Sequence, residues 1–392
     1  MEIPYEPTLQ EKAAYLRNPD SYGIAPERVE MRETNMSLVF LAGDYVFKLK
    51  KPVRLPYLDF STLVKRRLAS AAEAGLNRRL APGVYLGIVP LCISDGALSI
   101  GKGGVAVDWL VKMRRLDQGR MLDSLIAKNE ADLHYADALA VILAQFYKRA
   151  QPVFLRPEEF LRHWRFLLRQ NRTVLLDPRL NMPQGLVRHL DRALQDFLLK
   201  KRGLLLDRLR NRHILDGHGD LRPEHIWLGN EVKIIDCLEF NSRLRALDPL
   251  EEIAYLDLEC EHLNAKDFGS RVHSRVVQAL RDKGPLSLYC FYRCYRAMLR
   301  ARLSIAHLLA ATPRTPEKWH PKALSYLRIA AADGKRLEFA IRKREGPKGV
   351  HPLAGGGLPL PIAERKEGFR PCSASCRASR GRAERYPWLL AG

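Results

Sequence analysis

The hydrophobic pattern of this chain changes period once, near Met113, and that change constrains the fold more than any other feature. From about residue 28 to residue 112, apolar and polar residues alternate in "RVEMRETN", "MSLVFLAG", "DYVFKLKK", "YLGIVPLCIS", "ALSIG" and "VAVDWLVKM". A period of two puts successive side chains on opposite faces of a strand. Ala42-Gly43-Asp44, Gly96 and the "GKGG" run supply turns between them. One segment departs from the alternation: "STLVKRRLASAAEAGLNRRLAP" is rich in Ala, Leu and Arg, offers Asp59 or Ser61 as N-cap, and stops at Pro82. It predicts the one main helix of a small β-rich lobe.

Beyond Met113, apolar residues recur every three to four positions in "LHYADALAVILAQFYKRA", "EEFLRHWRFLLRQNRTVLL", "PLEEIAYLDLECEHL" and "SLYCFYRCYRAMLRARLSIAHLL". That spacing predicts amphipathic helices. Two short strands, "HIWLG" and "EVKIID", interrupt them. The fold class expected is therefore α+β and bilobal: residues 1–112 as the first lobe, 113–116 as a hinge, and 117–345 as a larger, mainly helical lobe. Residues 346–392, dense in Gly, Pro, Ser and Arg without periodicity, predict a disordered basic tail.

Bulk properties narrow the setting. No run of eighteen apolar residues exists, so no membrane span is expected, and "MEIPYEPTLQEKAAYL" lacks the apolar core of a secretory signal. The seven cysteines are few and mostly in apolar segments, which predicts reduced thiols and a cytoplasmic setting. Neither Cys290/Cys294 nor Cys372/Cys376 has the companion spacing of a zinc site. The net charge is +21; residues 346–392 account for +5, leaving +16 on the rest. Such a balance favours anionic partners, including nucleotide, phosphorylated metabolite or nucleic acid.

The densest polar stretch is "HGDLRPEHIWLGNEVKIIDCLEFN", His218 to Asn241. Asp220 lies in a turn stiffened by Pro223 and made permissive by Gly219. His225, a side chain able to ligate metal, follows five residues later. A hairpin through Gly229-Asn230 brings the chain back, so that Asp236 falls beside the turn. A fixed carboxylate can take a proton from a hydroxyl, and phosphoryl transfer needs a second acidic group to hold the metal that neutralises phosphate oxygens.

This segment resembles the catalytic core of the aminoglycoside phosphotransferase family, within the protein-kinase-like fold. The family pattern is H-G-D-x-x-x-x-N followed by an apolar strand ending in I-D, and "DLRPEH" is also similar to the catalytic loop of protein kinases. The resemblance implies Asp220 as catalytic base, Asp236 as metal ligand, and Arg222 placed against the γ-phosphate. "YVFKLKKP" resembles the strand whose Lys grips the α/β-phosphates, here Lys48, with Glu73 as its ion-pair partner. Lys50 and Lys51 are read as bystanders, and Glu33 and Asp44 are also in that lobe as alternatives to Glu73. Backbone groups around Lys112, Met113 and Arg114 would meet the adenine. The resemblance covers roughly residues 28–345.

One departure stands out, since the family's Asn is His225. Imidazole nitrogen matches Mg2+ less well than an amide oxygen does, so Mn2+ is an alternative ion. The implied activity is ATP-dependent transfer of the γ-phosphate to a hydroxyl of a small molecule. The alternative is a nucleotide-binding pseudokinase whose basic surface engages nucleic acid or a protein partner. His218 reads as a scaffold for the loop, and Asp248 as a residue that fixes the loop by hydrogen bonds. The acidic run Glu251, Glu252, Asp257, Glu259, Glu261 falls on different helix faces. The aromatic stripe Tyr289, Phe291, Tyr292, Tyr295 reads as core, with a substrate-pocket role as the alternative.

Overall fold

The computed structural model describes residues 6–342, apart from 25, 56, 102, 311, 312 and 314. The basic tail and its two cysteines, Cys372 and Cys376, lie outside the described residues. In the first lobe, α1 (Leu9–Arg17) precedes β1 (Val29–Glu33), β2 (Ser37–Ala42) and β3 (Tyr45–Lys50). A minimal hairpin of β4 (Arg54–Leu55) and β5 (Leu58–Asp59) leads to α2 (Leu63–Asn77), and β6 (Tyr85–Ser94), β7 (Ala97–Ile100) and β8 (Val105–Arg114) follow. Six of these strands form an antiparallel sheet in the order β1-β2-β3-β8-β6-β7.

The period of two in β3 decides what each face of the sheet carries. Phe47 and Leu49 join Leu16, Phe40 and Leu110 in the core under α1. Lys48 and Lys50 point to the opposite face, where Val111, Met113 and Tyr85 pack against Ala74 of α2. The α1 helix adds to the single helix expected in this lobe. Its signal is the capping box at Thr8 and Glu11, which satisfies two free N–H groups at the start of a nine-residue helix. The N-cap of α2 is Thr62, whose hydroxyl accepts from Lys65 N, rather than Asp59 or Ser61. Asp59 instead accepts from Ser61 N in the preceding turn.

The second lobe runs through α3 (Leu122–Ala127), α4 (Leu133–Arg149), α5 (Pro157–Leu175), α6 (Gln184–Lys200) and α7 (Arg202–Arg210). After β9 (Leu215–Asp216) come the hairpin strands β10 (Ile226–Leu228) and β11 (Val232–Ile234), α8 (Ser242–Arg245) and β12 (Ala246–Leu247). It closes with α9 (Pro249–His262), α10 (Lys266–Leu280), α11 (Leu286–Ala306) and α12 (Pro316–Arg342). The α9 helix is buried on every side from Pro249 to Cys260 despite its acids. Arginines of α11 make that tolerable: Arg296 holds Glu251 at 2.7 Å, Arg293 holds Asp257 at 2.5 Å, and Arg300 holds Glu259 at 2.9 Å. Buried charges persist only when paired in this way. Among the described residues, no helix is long and apolar enough to cross a membrane.

Candidate active site

The loop after β9 is held from below by Glu252 of α9. Its carboxylate accepts from His218 N at 3.0 Å, from Gly219 N at 2.5 Å and from the Tyr147 hydroxyl at 3.0 Å. Asp248, expected in that role, instead caps α9 and pairs with Arg208 and the Tyr292 hydroxyl. No sequence signal separates the two acids, because only the packing of α9 under the loop decides which one reaches it. His218 is fully buried and donates through Nε2 to Ile235 O at 2.9 Å, which leaves Nδ1 to accept from Asp220 N. Burial pushes its pKa down to about 4, so the ring is neutral near pH 7. Gly219 has φ +89°, and a Cβ there would lie 3.2 Å from Leu244 O and 3.0 Å from Leu238 Cδ1. That is a position for glycine.

Asp220 is set between two donors. Tyr255 donates its hydroxyl to Oδ1 at 3.2 Å, and Arg222 reaches Oδ2 at 2.9 Å. Burial pushes the Asp220 carboxyl up, but Arg222 and His225 outweigh it and hold it at about 2. Arg222 also contacts Glu224 at 2.5 Å. His225 starts from a single turn opened by Pro223, donates through Nδ1 to Asp220 O at 2.8 Å, and so leaves its Nε2 lone pair facing Arg222 and Asp236. That nitrogen lies 3.6 Å from Asp236 Oδ2 and 3.3 Å from Arg222 Nη2.

Asp236 follows β11 in the left-handed region, at φ +61°. Asp is one of the few side-chain-bearing residues that adopt this conformation readily, and its N–H donates to the Tyr85 hydroxyl. Lys48 Nζ stands 3.0 Å from Asp236 Oδ1 and 2.8 Å from Glu73 Oε1. The Lys48 charge, working against burial, holds the Asp236 carboxyl well below the usual carboxylate range. Of the two alternatives to Glu73, Glu33 pairs with Lys51, and Asp44 lies in the β2–β3 turn, where its backbone carbonyl accepts from Arg115 N. Lys50 is not a bystander. It is fully buried, 2.6 Å from Glu73 Oε2 and 2.5 Å from Glu239 Oε1. Two lysines on one face of β3 thus share a single glutamate, an arrangement the i, i+2 spacing allows but does not announce.

Lys48, Asp220, Arg222 and Asp236 line one cavity of about 990 Å3, roofed by the β1–β2 turn at Thr34 to Ser37. It continues into the helical lobe past Trp164, Tyr292 and Tyr295. Lys112, Met113 and Arg114, whose backbone was expected to meet the adenine, form the end of β8. They pair within β8 with Phe47, Val46 and Tyr45 of β3, and the ladder extends to Arg115 N, which donates to Asp44 O. The connection between the lobes therefore begins beyond Arg115. Lys112 itself lies over the Tyr45 ring at 4.5 Å, on the far face of the sheet from Lys48.

Among the described residues, no three His, Cys, Asp or Glu side chains converge as a metal cage. What the site offers a divalent ion is the half-exposed Asp236 carboxylate and the Nε2 of His225 beside it. Two protein donors fit an ion whose other ligands are phosphate oxygens and water. An oxygen–nitrogen donor pair suits Mn2+ better than Mg2+.

A two-lobed arrangement of curled antiparallel sheet, connecting strand and helical lobe with an embedded hairpin is the protein-kinase-like fold in its aminoglycoside-phosphotransferase-like form. Among solved structures, the GDP and kanamycin complex of APH(2")-IIia aligns with 83% of this chain and 99% of its own, at a TM-score of 0.50 and 18% identity. A choline/ethanolamine kinase family protein from Mesorhizobium loti aligns over 84% and 98%, at a TM-score of 0.49 and 14% identity. No family model matches the sequence. Uncharacterised proteins of Mycobacterium tuberculosis and Mycobacterium bovis are each 33% identical over 292 residues, 73% of this chain. The aligned region is 56% of their length, so the chain spans about half of the curated relatives it matches.

Proposed function

We propose that this chain is an ATP-dependent phosphotransferase acting on a hydroxyl group of a small molecule. The observation that carries the reading is that Asp220, Asp236 and the Lys48–Glu73 pair line or adjoin one cavity between the lobes. A carboxylate aimed at the acceptor, an ammonium aimed at phosphate oxygens and an acid for a divalent ion are the parts that phosphoryl transfer requires.

Lys48, fixed by Glu73, would hold the triphosphate. Asp236 and His225 would hold the divalent ion, Mg2+ or Mn2+, which supplies charge neutralisation to the phosphate oxygens when bound. Asp220 orients the acceptor hydroxyl and takes its proton, while Arg222, one residue-pair away, faces the charge that builds on the transferring group. The Tyr255 hydroxyl and Arg222 fix the Asp220 rotamer, so the base costs little reorganisation when substrate arrives. Backbone of the connection beyond Arg115 would face the base of the nucleotide. The test is ADP release from the purified chain with ATP and either ion across a panel of hydroxyl-bearing metabolites. An Asp220→Asn protein as active as wild type would refute the assignment of the base.

A further inference from the structure

The acceptor end of the cavity is walled by one face of α11 and by α5, and its charges are unevenly matched. The two acids that line it are already taken: Asp248 by Arg208 and Tyr292, Glu251 by Arg296. Of its arginines, Arg296 has Glu251 and Arg300 has Glu259. Arg302 is different. It is only partly exposed, its Nε is shielded from solvent, and among the described residues it has no hydrogen bond or ion pair. Arg243 stands at the same wall, exposed, with His163 and His307 nearby on the lining. Trp164 Nε1 is a second shielded donor without a partner.

A guanidinium withdrawn from water without a counter-charge costs stability, and the usual remedies are a carboxylate or phosphate held in bidentate fashion. An ammonium-bearing acceptor would find the opposite among the described residues: no unengaged carboxylate at this end, and two cations, Arg302 and Arg243, without a counter-charge. Resting on the phosphotransferase reading above, we propose that the acceptor is a small alcohol carrying its own phosphate or carboxylate, held by Arg302 against the Trp164–Tyr295 wall. In the transfer, the acceptor oxygen forms a bond to the γ-phosphorus as the bond from that phosphorus to the β–γ bridging oxygen breaks. ADP leaves with that electron pair, and the hydroxyl proton passes to Asp220. Trp164 and Tyr295, with ring centroids 5.1 Å apart, offer the apolar surface that excludes water from the anion.

Three probes test this on the full chain, with the nucleotide site first saturated by a non-hydrolysable ATP analogue and Mn2+. Inorganic phosphate, acetate and tetramethylammonium are then titrated while the thermal midpoint is followed. Phosphate or acetate is expected to raise the midpoint, and the stronger of the two names the anionic group. Arg302→Met should weaken that response about tenfold or more, the equivalent of one charge-assisted hydrogen bond, and Arg302→Lys should restore part of it. Without probe, Arg302→Met should melt no lower than wild type, since it removes an unpaired cation. A response to tetramethylammonium alone, no response to either anion, or an anion response unchanged in Arg302→Met would overturn the proposal. Failure of the ATP analogue itself to bind would instead count against the phosphotransferase reading.

Discussion

The Lys50 ammonium lies 2.5 Å from a Glu239 carboxylate oxygen, and so ties the end of β3 to the segment that follows Asp236. Neither side chain has appreciable contact with solvent, and Glu73 closes the triangle at 2.6 Å from Lys50. Lys48 leans on the same Glu73, so the position of Lys48 depends on its neighbour two residues on. Lys50→Met would strand the buried Glu239 carboxylate and leave Glu73 to Lys48 alone, at a cost of about 3–5 kcal/mol. Urea unfolding should show a lower midpoint with an unchanged slope, and Glu239→Gln in the same chain should recover part of the loss. A midpoint within experimental error of wild type would mean that the triangle contributes nothing.

With Asp220 as the proposed base, its replacement should separate chemistry from binding. Asp220 touches Tyr255, Arg222 and His225 but makes no contact with Lys48, Glu73 or Asp236. Asp220→Asn keeps the shape of the site and removes the base. The expected outcome is a loss of 100-fold or more in kcat, on the order of what positioned general bases contribute, with ATP affinity by calorimetry changed less than about threefold. Equal losses in both would point to a role in holding nucleotide.

The pH profile carries the signature of Arg222. With its carboxyl held at about 2, Asp220 is ionised at every pH above 4 and contributes no acid limb there. Arg222→Met removes the largest of the lowering charges and leaves burial, which pushes upward. The acid limb of kcat/KM should therefore move up into the measurable range in this variant. A profile identical to wild type between pH 4 and 7 would argue that Asp220 is not the titrating base.

His218 makes a stability prediction of definite sign. Its pKa is 6.5 in the unfolded chain and about 4 in the folded one. Between those values the unfolded chain binds a proton that the native state refuses, so stability is lost as the pH falls through that window. The loss amounts to about 3 kcal/mol. His218→Gln carries no such proton. The difference in unfolding free energy between pH 7.5 and pH 4.5 should thus be smaller in the variant than in wild type.

Much of this was legible in the sequence, for reasons that can be named. The strands of the first lobe fall where the short alternating runs stand, and β3 carries Lys48 and Phe47 to the faces that the alternation assigns, although β2 is buried on both faces. The loop and hairpin from His218 to Asp236 could be placed because turn residues, Gly219 and Gly229 among them, fix short-range geometry. What stayed hidden is what folding brings together from afar. Glu252 and Tyr255 are one turn apart on α9, yet nothing local says that the first grips the loop backbone and the second the base. Lys50 looked like any strand-end lysine until Glu239 arrived from 189 residues away. The hinge was expected from residue 113, whereas the strand ladder runs on to Arg115. The capping box that announces α1 was present in "TLQE" and needed only to be read.

His225 is where the chain departs from the pattern it otherwise resembles, and the geometry makes the consequence measurable. Its Nδ1–H is spent on Asp220 O, which fixes the ring and leaves Nε2 facing Asp236. A carboxylate oxygen paired with an imidazole nitrogen favours Mn2+ over Mg2+. His225→Asn replaces that nitrogen by an amide oxygen and should shift the preference toward Mg2+. Two measurements check it: the ratio of turnover in Mg2+ to turnover in Mn2+, expected to rise several-fold, and Mn2+ affinity by electron paramagnetic resonance in the presence of nucleotide, expected to fall. If both stay at wild-type values, His225 does not touch the ion, and Asp236 holds it with nucleotide oxygens and water alone.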